Sequence, residues 1–163
     1  MKTEVREKLK NISLLILDVD GVLTDGSIVY GDDGSEIKKF HVRDGLGVRL
    51  LLDNGIKIAI LTARRSPALL RRCRELGIEL VYDGVADKAA KLKEIMDSQA
   101  VTATQTAFMG DDLQDLGAMR TAGLALTAAD AVAEVLAAAD LLTACRGGHG
   151  AVRELCAALP EAR

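Results

Sequence analysis

Apolar positions fall into short unbroken runs separated by longer mixed stretches. Leu14-Leu15-Ile16-Leu17, Lys57-Ile58-Ala59-Ile60-Leu61 and Thr106-Ala107-Phe108-Met109 have strand length and no alternation. That is the pattern of strands buried on both faces of a parallel sheet. The first strand is predicted over about 12–18, and shorter ones at 79–82, 124–126 and 141–143. Between them lie helix signals. Asp44 reads as the N-cap of a helix running to about Asn54 and closed by Gly55, and Ser66-Pro67 opens one that runs to Leu76 and stops at Gly77. Further helices are expected over 87–98, up to about Gly123, over 131–138 and over 151–159, with a charged lead-in at 4–10. Strands alternating with helices predict one domain, 1–163, of three-layer α/β architecture, a doubly wound and mostly parallel sheet. Residues 27–30 and 36–40 flank Gly31-Asp32-Asp33-Gly34 and predict a β-hairpin inserted after the first strand. A lone two-stranded hairpin is marginal in water, so it is expected to pack against another subunit.

Three of the buried strands run into polar groups. The first delivers Asp18 and Asp20, the second Thr62, the third Asp111, Asp112 and Asp115. Parallel topology gathers strand ends at one edge, where α/β sheets bind ligands. Close carboxylates repel, so either a shared proton or a hard cation is implied, and an oxygen-only donor set favours magnesium over zinc. Taken singly, Asp18 and Asp20 also fit an ordinary capped Asp-Gly turn. Taken with Thr62 and Lys88, the carboxylates match phosphoryl transfer: one attacks phosphorus, others hold a metal, and hydroxyl and ammonium donors stabilise the phosphoryl oxygens. Lys88 opens a helix, where a cation is unfavourable, which hints at a bound anion.

Composition narrows the partners. A net charge of −3 with 2% aromatic residues lacks the basic stripe or stacking rings of a nucleic-acid surface, so a small ligand is expected. No apolar stretch approaches the ~20 residues of a membrane span, and residues 1–10 lack a signal-type core. Cys73, Cys145 and Cys156 have no CxxC spacing and imply a reducing, cytoplasmic setting without disulfides or a zinc site.

The segment Asp18-Val19-Asp20-Gly21-Val22-Leu23-Thr24-Asp25 resembles motif I of the haloacid dehalogenase superfamily. Thr62 stands as its motif II, Lys88 as motif III, and Gly110-Asp111-Asp112-Leu113-Gln114-Asp115 as motif IV. The resemblance implies a Rossmann-like core in which Asp18 is the nucleophile and Asp20 the acid and base. It places Mg2+ on the carboxylates of Asp18 and Asp111 and the carbonyl of Asp20, with Asp112 and Asp115 behind them and Thr62 and Lys88 on the phosphoryl group. Neither gap between motifs holds a cap domain, so the core is capless, open to a large substrate or closed by a neighbouring subunit.

From Leu14 to Leu159 the chain further resembles the 3-deoxy-D-manno-octulosonate (KDO) 8-phosphate phosphatase family. The segments are Gly21 to Asp25, Phe40-His41-Val42-Arg43-Asp44-Gly45, Thr62-Ala63-Arg64 and Gly147-Gly148-His149-Gly150-Ala151-Val152-Arg153-Glu154. That family implies a magnesium-dependent homotetramer of lipopolysaccharide biosynthesis, with hairpin and C-terminal tail closing a neighbour's active site. Its substrate contacts fall on Asp20, His41, Val42, Arg43, Asp44, Gly45, Arg49, Arg64, Arg72 and Lys88. Arginine forks suit a substrate that carries both carboxylate and phosphate. The chain departs from the family at Ala63, usually glycine, and at His149, commonly arginine. Three alternatives remain at this point: the same chemistry on a nine-carbon, sialic-acid-type 9-phosphate, a phospho-accepting receiver module, and a silent scaffold assembling by its hairpin. Arg64 favours the eight-carbon acid, and the position of the acidic pair on the first strand disfavours a receiver.

Overall fold

A computed structural model describes residues 3–162, with side chains described to residue 159. Helix α1 (Thr3–Asn11) leads into β1 (Leu14–Leu17), followed by the hairpin strands β2 (Val29–Tyr30) and β3 (Glu36–Ile37). There follow α2 (Val42–Asp53), β4 (Lys57–Leu61), α3 (Pro67–Leu76), β5 (Leu80–Tyr82) and α4 (Lys88–Gln99). The second half runs β6 (Thr106–Met109), α5 (Leu116–Thr121), β7 (Leu124–Thr127), α6 (Ala133–Ala138), β8 (Leu141–Leu142) and α7 (Ala151–Ala162).

Six strands form one parallel sheet in the order β5-β4-β1-β6-β7-β8. Strand β1 is its centre: Leu17 registers with Ile60 on one side and Met109 on the other. All four β1 residues are 0% exposed, as unbroken apolarity foretold. Their alternation divides the two cores. Leu15 and Leu17 pack with Val48, Leu51, Val152 and Leu155 from α2 and α7, whereas Leu14 and Ile16 pack with Leu92, Ile95, Phe108 and Met119 on the α4–α5 side. Each such side chain contributes about 1.5–3 kcal/mol by leaving water.

Two expectations need correction. Asp44 is not the cap of α2. His41 occupies that position with extended backbone, while Asp44 lies inside the first turn, 1% exposed, with Oδ1 accepting from the Arg153 amide at 2.8 Å. The aspartate therefore ties α2 to α7 instead of starting a helix. The hairpin is also shorter than predicted, only two residues per strand, and its polar side packs on this chain's own sheet edge. Its apolar residues Ile28, Val29, Tyr30 and Ile37 are the ones left exposed. Elsewhere the boundaries match closely: Ser66 caps α3 through the Leu69 amide, and Gly77 ends it in the left-handed region.

Candidate active site

The sheet's order puts β4, β1 and β6 side by side, so their carboxyl ends deliver Thr62, Asp18 and Asp111 to one edge. Asp18 leaves the sheet anchored by its amide to the Met109 carbonyl at 2.9 Å. The chain then curls: the Val19 carbonyl accepts from the amides of Val22, Leu23 and Thr24. Gly21 sits at φ +86°, and a Cβ there would lie 1.9 Å from Asp111 Oδ2. A glycine is required both by the backbone and by the carboxylate pressed against it.

A second Gly-rich loop braces this turn. The Gly148 amide donates to the Val22 carbonyl at 3.0 Å, and a Cβ on Gly147 would stand 1.8 Å from the Gly21 carbonyl oxygen. Glu154 holds that loop from α7 by accepting the Ala144 and Cys145 amides, each at 2.9 Å. His149 is an exposed turn residue, its Nδ1 2.8 Å from the Gly147 carbonyl oxygen. Within this chain, then, the Gly147–Gly150 loop supports its own active-site turn.

Lys88 is no solvated first-turn lysine. It is 2% exposed, and its ammonium lies 3.0 Å from Asp18 Oδ1 and 2.6 Å from Asp115 Oδ1. Asp115 is 0% exposed and fully committed, its Oδ2 accepting the amides of Asp111 and Asp112 at 3.0 and 3.2 Å. Asp112 itself faces outward and caps its turn through the Leu113 amide. Thr62 is buried, its hydroxyl accepting from the Arg64 amide at 3.3 Å.

Carboxylate oxygens of Asp18, Asp111 and Asp115 lie within 4.8 Å of one another. Burial pushes the Asp18 carboxyl up to about 6, against the opposing pull of Lys88 and with a further push from Asp115. Burial, then the charges of Asp18, Asp115 and Asp112, raise Asp111 to about 7. Burial alone would lower the Lys88 ammonium, but Asp18 and Asp115 outweigh it and hold it above its ordinary range. Asp111 Oδ1 is buried with no hydrogen-bond partner. Two carboxyls whose ionisation is delayed toward neutral pH, one orphaned oxygen and an all-oxygen donor set fit a small hard cation.

This chain is similar to the KDO 8-phosphate phosphatase of Haemophilus influenzae, 46% identical over 93% of this chain and 84% of the relative. It belongs to that phosphatase family. The Escherichia coli K12 phosphatase is 42% identical over 96% of this chain and 83% of its own length. Residues 78–155 match the family model described as haloacid dehalogenase-like hydrolase. Among solved structures, the Moraxella catarrhalis phosphatase in complex with magnesium, phosphate and KDO superposes with a TM-score of 0.98 at 39% identity, covering 100% of this chain and 94% of that one. The cobalt-bound Haemophilus influenzae structure gives 0.92 at 45% identity, covering 95% and 91%. A receiver module and a silent scaffold drop out as readings of a phosphatase-family chain.

The remaining family positions divide into groups. Phe40, His41, Asp44, Gly45 and Arg72 line one small cavity with Leu23 of the motif I turn. Burial raises the Asp44 carboxyl, and the His41 Nδ1 has no hydrogen-bond partner. Val42 and Arg43 point to solvent beside this cavity. Arg49 stands apart, its Nη1 donating to the Leu76 carbonyl at the far end of α3. Arg64 reaches the site: its Nε lies 3.5 Å from Asp20 Oδ2 and its Nη2 pairs with Glu36.

Sequence reasoning missed Glu36 and Lys38. Lys38 binds Asp20 Oδ1 and lies 3.4 Å from Glu36 Oε1. The signal was available in the alternation Glu36-Ile37-Lys38, which sends both charged side chains to one face of the hairpin.

Proposed function

We propose that this chain is a magnesium-dependent phosphatase that hydrolyses KDO 8-phosphate to KDO and phosphate, the activity named for its relatives and part of lipopolysaccharide synthesis. The observation that carries the reading is Asp18 at the end of the central strand, paired with buried Lys88 and facing Asp111. Asp18 attacks phosphorus and forms an aspartyl-phosphate while Asp20 protonates the leaving alcohol. Asp20 then takes a proton from the water that releases phosphate. Lys88 neutralises the nucleophile and, with Thr62, binds the phosphoryl oxygens. Asp18, Asp111 and the Asp20 carbonyl would hold Mg2+, which would supply charge neutralisation at the phosphoryl group. Asp115 holds Lys88 and the 111–112 amides in place, with Asp112 capping the turn behind.

Arg64, Arg72, His41, Asp44 and Gly45 supply the central sugar-acid contacts, with Val42, Arg43 and Arg49 adding theirs from the periphery or toward a neighbouring protomer. In this reading domain 1–163 works in the cytoplasm as a homotetramer; the exposed hairpin face of Val29 and Ile37, with Ile28 and Tyr30 exposed beside it, supports self-association by offering a second protomer an apolar surface. Among the described residues no helix is long and apolar enough to cross a membrane. A monomer by sedimentation at micromolar concentration would reject the assembly. The deciding assay is magnesium-dependent phosphate release from KDO 8-phosphate beside N-acetylneuraminate 9-phosphate and 4-nitrophenyl phosphate. A clear preference for the first supports the reading, preference for the second moves it to the nine-carbon acids, and equal slow turnover of all three removes the substrate assignment.

A further inference from the structure

Resting on that phosphatase reading, we infer that Lys38 is a positioning residue for Asp20, fixing the carboxyl so that its Oδ2 is the oxygen that gives and takes the proton. Lys38 follows β3 of the two-stranded hairpin, which is separate from the six-stranded sheet. Its immediate neighbour Ile37 is 55% exposed, yet the Lys38 side chain is only 4% exposed. A lysine so hidden on a surface hairpin needs a partner, because the ammonium has lost its water. That partner is Asp20 Oδ1, in direct hydrogen-bonded contact.

The contact belongs to a closed ring of charges. Lys38 also lies 3.4 Å from Glu36 Oε1, Glu36 Oε2 pairs with Arg64, and Arg64 Nε lies 3.5 Å from Asp20 Oδ2. The two charges that the hairpin itself brings, Lys38 and Glu36, cancel, so it adds orientation without adding net charge beside the nucleophile. Its members differ in grip. The Arg64 side chain is 38% exposed, is held chiefly by Glu36, and touches Asp20 only through a long contact. Lys38 holds Oδ1 from a buried position. With Oδ1 occupied, the Oδ2–H bond breaks as its proton passes to the leaving oxygen, the phosphorus–oxygen ester bond breaks, and the Asp18 oxygen–phosphorus bond forms. In the second step Oδ2 recovers a proton from the attacking water as that water's oxygen bonds to phosphorus, the Asp18 oxygen–phosphorus bond breaks and phosphate leaves. A general acid needs this fixed geometry to be effective, and acid–base catalysis contributes about 10²–10⁴ in rate.

The test separates positioning from packing by changing the leaving group. An aryl phosphate leaves without needing a proton, whereas a sugar alkyl phosphate does not, and kcat/KM reports the step in which the leaving group departs. Lys38→Met is measured with KDO 8-phosphate and with 4-nitrophenyl phosphate, alongside Lys38→Arg and the melting temperature of each. The expected result is a fall of about tenfold or more in kcat/KM for the alkyl ester, with kcat falling as well, a change within about threefold in kcat/KM for the aryl ester, and recovery of most activity in Lys38→Arg. Equal losses of kcat/KM on both esters, a loss confined to KM, or no loss would each overturn the inference. If Lys38→Met melts below the assay temperature, Lys38→Gln takes its place. Wild-type protein that releases no phosphate from either ester overturns the phosphatase reading instead, leaving the two failures distinct.

Discussion

Magnesium binding should be strongly coupled to protons, and the site sets the size of the effect. Asp18 and Asp111 have values raised to about 6 and about 7 from an ordinary 3.8. The folded metal-free protein therefore holds protons that the unfolded chain has already released. These groups favour the folded state at low pH, and that advantage is lost as pH rises through 6 and 7, at a cost on the order of 3 kcal/mol for Asp18 and 4 kcal/mol for Asp111 when each ionises alone. Because the two carboxyls interact, the costs do not add. A cation removes the penalty but must compete with the protons. At pH 8 both groups are largely ionised, while at pH 5.5 both are largely protonated, so magnesium affinity should weaken about a hundredfold between them. Titration calorimetry in buffers of different ionisation enthalpy gives both affinity and proton count. About one proton should leave per Mg2+ at pH 6.5, and almost none at pH 8.5. Affinity unchanged within about twofold from pH 5.5 to 8 would refute the placement of these two carboxylates as the ligands competing with protons.

Other perturbations follow from the same geometry. Lys88→Met leaves Asp18 and Asp115 buried without their cation and should cost about 3–5 kcal/mol in denaturant unfolding at pH 8; a loss under about 1 kcal/mol would contradict the buried pairing. Gly147→Ala places a Cβ 1.8 Å from the Gly21 carbonyl and should cost about 2 kcal/mol or more together with turnover, whereas Gly34→Ala, strained only by φ +81° with open space around it, should cost about 1 kcal/mol and spare activity. Asp18→Asn should abolish phosphate release while the circular-dichroism melt stays cooperative, because the amide keeps the shape and loses the nucleophile; measurable turnover would remove Asp18 from that role.

The fold was legible because buried parallel strands write themselves as uninterrupted apolar runs. β1, β4 and β6 fell where Leu14–Leu17, Lys57–Leu61 and Thr106–Met109 predicted them. The site followed from the strand ends, since topology alone brings Asp18, Thr62 and Asp111 to one edge. What escaped were residues whose environment is tertiary. Asp44 has the composition of a helix cap, yet its partner is the Arg153 amide 109 residues away. Lys38 looks like the solvent side of an alternating strand, and only docking of the hairpin on Asp20 buries it. Arg49 stands on the same helix as Asp44 but low enough to bond the Leu76 carbonyl, and counting residues along the chain does not show which end of α2 meets the site.

The hairpin's two faces explain why a capless core can keep a short insertion beside its nucleophile. Around Asp18, three carboxylates face the single ammonium of Lys88, leaving two negative charges to be met by protons or by a divalent cation. Any further charge brought there would shift that balance and with it the metal affinity. The hairpin brings Lys38 and Glu36, whose charges cancel. It can therefore orient the acid without competing for the metal's electrostatic role. Its opposite face, Val29 and Ile37, stays apolar and exposed, so a partner seated there would press the charged face onto Asp20. Assembly and proton transfer would then be joined through two residues of β3 and the lysine that follows.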